Sequence, residues 1–152
     1  MRPRRVVSGG QTGVDRGALD AAIAAGIPHG GWCPRGRRAE DGVVPDRYAL
    51  REHTSAAYAA RTEANVVDSD ATLVLRRGRL AGGTALTRTL ARRHGKPLLV
   101  VDLATDPDAP AVRRWIDAHR VDVLNVAGPR ESEAPGIAAA AATFMQAVLG
   151  RR

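Results

Sequence analysis

The sequence predicts an α/β fold, one domain over residues 1–152 with a mostly parallel sheet and helices on both faces. Its 152 residues are enough for a single domain, and 44% of them are hydrophobic, so a core can form without disulfides or metals. Short apolar runs of strand type alternate with segments of helical period, the pattern of a sheet covered by helices. Two separate strand-like runs empty into glycine-rich loops that each feed a helix, as in units that build parallel sheets.

Arg5-Val6-Val7-Ser8 reads as the first strand. It runs into Gly9-Gly10-Gln11-Thr12-Gly13 and a segment where Ala18, Leu19, Ala22 and Ile23 recur at helical spacing, closed by Gly26 where a C-terminal cap belongs. From Pro28 to Pro45 the chain is punctuated by Gly30, Gly31, Pro34, Gly36 and Gly42 and reads as mostly loop; long loops in small domains are functional or mobile. A helix is expected from Ala56 to about Val67, then the strand Ala71-Thr72-Leu73-Val74-Leu75 and a second glycine loop, Gly78-Arg79-Leu80-Ala81-Gly82-Gly83-Thr84. The next helix, about Ala85 to Arg93, carries Leu86 and Leu90 on one face. Pro97 opens Leu98-Leu99-Val100-Val101, apolar on both faces as a central parallel strand is. A helix with Val112, Trp115 and Ile116, a strand from Val121 to Val126, and a last helix with Ile137, Ala141, Phe144, Met145 and Val148 follow. No linker or low-complexity boundary interrupts the series.

Composition removes several classes of function. Twenty-three basic against sixteen acidic residues give a net charge of +7, which favours anionic partners without choosing among them. The five aromatic residues are too few and scattered for single-strand nucleic-acid platforms, so nucleic acid is not an expected partner. The lone Cys33 cannot form an internal disulfide and reads as a packed thiol, and the four histidines show no metal-site spacing. The N-terminal arginines are followed by only Val6 and Val7 before Ser8, no run approaches the roughly 20 apolar residues of a membrane span, and the chain reads as cytoplasmic.

In a parallel sheet both glycine loops can meet at one edge, where strand order reverses. Backbone N–H groups at a helix start suit a phosphate or carboxylate, and glycine lets the ligand approach them. Neither loop is followed by the Lys-Ser or Lys-Thr of a nucleotide-triphosphate loop, and the only lysine is Lys96. Gly9-Gly10-x-x-Gly13 also departs from the dinucleotide fingerprint, so placement favours binding and spacing leaves the ligand open. Gly9, Gly10, Gly13, Gly82 and Gly83 are candidate backbone donors, with Gln11, Thr12 and Thr84 adding side-chain hydrogen bonds. Asp15 sits in the first helical turn, as a dipole partner or a ligand contact. Arg16 and Arg35 are candidate counter-charges, and the segment Trp32 to Gly42 reads either as an anion-binding flap or as a solvated charge cluster.

The blocks Ser8-Gly9-Gly10-Gln11-Thr12-Gly13-Val14-Asp15-Arg16-Gly17-Ala18-Leu19-Asp20 and Gly31-Trp32-Cys33-Pro34-Arg35-Gly36-Arg37-Arg38-Ala39-Glu40-Asp41-Gly42, with Arg61-Thr62 through Asn65, Gly82-Gly83-Thr84 and Gly95-Lys96-Pro97, resemble the molybdenum carrier family. That family is also described as the circularly permuted YpsA branch of the Rossmann-like superfamily that includes the LOG and DprA proteins. The resemblance implies a Rossmann-like sheet, an oligomer, Arg61 as a further counter-charge, and a phosphate-bearing ligand: molybdenum cofactor, with molybdoenzymes as recipients, or a nucleotide. The alternative is a LOG-like hydrolase acting on a nucleotide. Against it, aligning Gly82-Gly83 with the LOG motif puts Thr89 where the catalytic glutamate stands and Ala81 where its proline stands. No catalytic residue is therefore assigned, and a binding or carrier protein is the expected class.

Overall fold

The computed structural model describes residues 2–78 and 82–150. Arg79, Leu80 and Ala81 of the second glycine loop lie outside the described residues. Five parallel strands form the central sheet in the order β2-β1-β9-β7-β8. They are β1 (Arg5–Val7), β2 (His29–Gly30), β7 (Ala71–Arg76), β8 (Leu98–Asp102) and β9 (Val123–Ala127). The segment after β2 supplies only short pieces: β3 (Trp32–Cys33) pairs with β6 (Arg51–Glu52), and β4 (Arg38–Ala39) with β5 (Gly42–Val43). The expected loop is thus mostly loop, folded back as small ribbons.

Helices α1 (Val14–Ala25), α4 (Ala109–Ala118) and α5 (Ile137–Leu149) share one face of the sheet, where Val6, Leu73, Leu75, Leu124 and Val126 meet Val14, Ala18, Ile116, Met145 and Val148. The other face is covered by α2 (Tyr58–Asp68) and α3 (Gly82–Arg93), which bury Val66, Leu90 and Ala91 together. Gly26 ends α1 in the left-handed conformation at φ 70°, as the sequence predicts, and its N–H returns to the Ala22 and Ile23 carbonyls. Asp108 caps α4 by accepting the Ala111 N–H at 3.1 Å.

β8 is a correction. Its apolar run predicts a central strand, yet it lies at the sheet edge with every residue half-buried. Both its faces are covered by flanking side chains, Leu86 on one and Trp115 on the other, so an edge strand acquires a two-sided apolar pattern. The centre belongs to β9, the last strand in the chain, which pairs with β1 through Val7–Asn125 and with β7 through Val74–Ala127.

Packing of α1 on α5 depends on one missing side chain. A Cβ on Gly17 would lie 2.5 Å from the Ala138 carbonyl oxygen and 3.0 Å from the Ala141 Cβ. Gly17→Ala is expected to lower unfolding stability by about 1–3 kcal/mol through overpacking, although alanine is the better helix former. Urea denaturation of the variant measures this; an unchanged midpoint would mean the two helices separate freely.

Candidate functional site

Because β1, β9 and β7 are neighbours, the segments leaving their carboxyl ends converge, as expected where strand order reverses. They enclose a cavity of about 150 Å³ lined by Gln11 and Asp15, by Tyr58, Arg61 and Thr62 of α2, by Gly83, Thr84 and Thr87 of α3, and by Ala127, Gly128, Arg130 and Glu133.

The turn after β1 is tight: Gly10 and Gly13 have φ of 72° and 82°. Asp15 sends its carboxylate back under this turn. Its Oδ2 accepts the Gln11 N–H at 3.2 Å, the Gly9 amide favours its charged form, and Arg61 Nη1 lies 3.6 Å away. Burial raises the Asp15 carboxyl above the ordinary aspartate range, while Arg61 and the two amides pull it the other way. Amides that would suit a bound anion are thus engaged by the chain's own carboxylate.

Gly9 is bare for a related reason: a Cβ there would sit 1.8 Å from Arg61 Nη1. The guanidinium lies across the glycine, its Nε buried without an acceptor. Burial pulls its pKa down, resisted chiefly by Asp15. Gln11 is 3% exposed, donates from Nε2 to the Arg38 carbonyl at 3.0 Å, and leaves Oε1 without a donor. Both orphaned atoms belong to side chains that line the cavity, where a ligand can satisfy them.

At the second loop the situation is reversed. Among the described residues, Gly83 has nothing within 4 Å of where a Cβ would stand, and Gly82 meets Glu133 Oε2 at 3.8 Å. Among the described residues the start of α3 is therefore open at Gly82 and Gly83, which are exposed, while Thr84 is buried in the cavity wall; the positive end of the helix dipole lies beside Arg61 and Arg130.

Other predicted residues are engaged elsewhere. Arg16 grips Asp41 bidentately at 2.6 and 2.8 Å and donates from Nε to the Gly10 carbonyl, latching the β4–β5 ribbon onto the first turn. Thr12 donates to Glu40 and accepts the Glu131 N–H at 3.2 Å. Hydrogen bonds from Ser132 and then Thr12 hold the Glu40 carboxyl below its usual range. The Cβ side of Gly13 faces the Pro129 carbonyl, and that of Gly10 faces Leu50 and Val44. Arg35 is exposed and does not line the cavity. Arg37 donates to the carbonyls of Val44, Pro45, Tyr48 and Leu50, and Arg38 lies 4.4 Å over the Tyr58 ring. Two of the segment's three arginines therefore hold the protein together. Cys33 is packed against Leu19, Val44 and Tyr48, and burial pushes its thiol up.

Sequence reasoning missed Tyr58, Thr62, Thr87, Arg130 and Glu133. The available signal was Gly128-Pro129-Arg130 directly after a strand, a third loop of the same kind, whose place beside the other two follows only from the strand order. Among the described residues no group of three or more His, Cys, Asp or Glu side chains is placed to hold a metal ion, and no helix is long and apolar enough to cross a membrane.

The family model described as "Circularly permutated YpsA SLOG family" matches residues 6–149. A crystal structure from Syntrophus aciditrophicus SB, of a protein named "Putative molybdenum carrier protein", is 43% identical and superposes with a TM-score of 0.91 over 97% of this chain and 96% of that one. No curated protein matches.

Proposed function

The chain belongs to the circularly permuted YpsA SLOG family, and from that premise we propose that it is a binding or carrier protein whose cleft seats the phosphate of a cofactor, molybdenum cofactor foremost. The observation that carries this reading is the open start of α3 at Gly83, which lines the same cavity as Arg61 and Arg130. A phosphate there receives backbone N–H donors, the helix dipole and two guanidiniums, and supplies the acceptor that Arg61 Nε lacks. Gln11 Oε1 accepts from an N–H or O–H of the organic part. About 150 Å³ is below the ~300–1,000 Å³ of pockets that enclose a whole small molecule, so the anionic end is held and a pterin-sized remainder lies across the mouth. Molybdenum in this reading travels on the organic ligand, for transfer to enzymes that use it.

Native mass spectrometry of protein purified from its own host tests this. A retained phosphorylated pterin, with or without molybdenum, is the expected result; a retained nucleotide in its place would overturn the cofactor assignment and keep the phosphate site. One observation favours a second reading, a hydrolase of nucleotides: Glu133 brings into the cleft a carboxylate that the α3 motif lacks. Product formed from AMP or ADP-ribose and lost in Glu133→Gln would establish it.

A further inference from the structure

A second cavity, of about 270 Å³, lies on the α2 side of the sheet and shares no lining residue with the cleft. Arg5 and Val7, alternate residues of β1, contribute to its wall, with Arg4, Trp32, Arg51 and Asp68. Three guanidiniums face one carboxylate. That carboxylate is engaged: Asp68 Oδ2 accepts the Trp32 indole N–H at 2.7 Å. Asn65, also in the wall, is bound through both ends of its amide to the Trp32 backbone, at 2.8 and 3.0 Å, and so fixes the indole in place.

The arginines have no comparable partners. Arg51 lies 4.3 Å over the Trp32 ring, an interaction that leaves its N–H groups free to bond in the ring's periphery. Neither Arg4 nor Arg5 is ion-paired among the described residues, and Arg5 Nε is shut away from solvent without an acceptor. Arg5 Nη2 stands 2.1 Å from where a Cβ on Gly30 would be, so the guanidinium is laid down on a bare strand position. Its charge is felt nearby: burial, and then Arg5, push the His29 imidazole below its ordinary range. A buried, unpaired donor on a cation is costly to keep, and an anion supplies both the charge and the acceptor.

We propose that this cavity is a second anion site, separate from the cleft, that binds a phosphate group through Arg4, Arg5 and Arg51. Size and charge fit a free phosphate or a small phosphate monoester, whose organic part would lie beside Trp32 in the cavity wall.

The experiment uses full-length protein carrying Gly83→Val, which fills the open start of α3, and titrates it with inorganic phosphate and, separately, phenyl phosphate. Trp32 emission, identified against Trp32→Phe, and calorimetry are followed together. Saturable binding that perturbs Trp32 is expected, weakened about tenfold or more in Arg5→Met and in Arg51→Met, each of which keeps the apolar stem. Tighter binding of phenyl phosphate than of phosphate assigns the site to monoesters; equal binding assigns it to the free ion. Absence of saturable binding in the Gly83→Val protein, or equal affinity in well-folded Arg5→Met and Arg51→Met, overturns the proposal. So does an oligonucleotide that binds with steep salt dependence while phosphate fails to compete, since the arginines would then serve a nucleic-acid backbone. Failure of the cleft reading alone appears as wild-type and Gly83→Val proteins binding the same number of phosphates.

Discussion

Arg61→Met is expected to lose ligand affinity by tenfold to a hundredfold and to lower stability toward the lower end of about 3–5 kcal/mol. The first figure follows from removing charge-assisted hydrogen bonds to an oxyanion, about 1.5–3 kcal/mol. The second is the usual cost of stranding one member of a buried ion pair: the Arg61 and Asp15 side chains are only 14% and 5% exposed. The Gln11 amide still holds Asp15 in the variant, which moderates the loss. The dependence on pH separates the two partners. Asp15 has a folded-state pKa raised above its unfolded value, so the folded protein binds the extra proton between them. The Asp15 contribution is therefore complete below the unfolded aspartate pKa and is lost as pH rises through the folded one. Arg61→Met removes the charge that restrains this shift and steepens the fall, whereas Asp15→Asn removes the titration and flattens it. Urea midpoints measured from acid to neutral pH check both; parallel curves for all three proteins would show that the pair is not coupled.

Gly10→Val and Gly83→Val are expected to fail in opposite ways. The Cβ side of Gly10 faces the protein, where a Cβ would meet the flexible tip of Leu50 at 2.4 Å and Val44 Cγ1 at 3.2 Å in a backbone with φ 72°. Left-handed strain of about 1–3 kcal/mol adds to the smaller cost of displacing the Leu50 tip and Val44, so Gly10→Val should remain folded but lose roughly 2–4 kcal/mol of stability. At Gly83 there is open space, so valine there should leave the melting temperature within the small range of a surface change, about 0.5 kcal/mol, and reduce ligand affinity at least tenfold. Circular dichroism with equilibrium binding distinguishes the cases. A Gly10→Val protein as stable as the wild type would contradict the packing described for the first turn.

What the residues announced and what they concealed divide along one physical line. The β1 turn, the Gly26 cap, β7 and α5 follow from local patterns, since period and capping are properties of neighbouring residues. Arg16, Thr12 and Gly10 occupy positions that suit a ligand loop, and their actual partners, Asp41, Glu40 and Leu50, come from a ribbon folded back over the turn. A glycine in a sequence shows that room is needed and not what fills it. At Gly9 and Gly10 the protein fills it; at Gly83 no described residue does. Arg130 and Glu133 reach the cleft only because β9 is inserted between β1 and β7, an arrangement that strand and helix periods do not encode. The same ignorance of strand order made β8 look central.

That late insertion of β9 bears on how the molecule is born. Until residues 123–127 leave the ribosome, β1 and β7 have no partner between them, and two half-sheets must wait for the strand that joins them. Pairings of this sequence separation are slow to form and leave strand edges uncovered meanwhile. Ala127, Gly128, Arg130 and Glu133 of the cleft arrive with the same segment, so the cleft is incomplete until the sheet is closed.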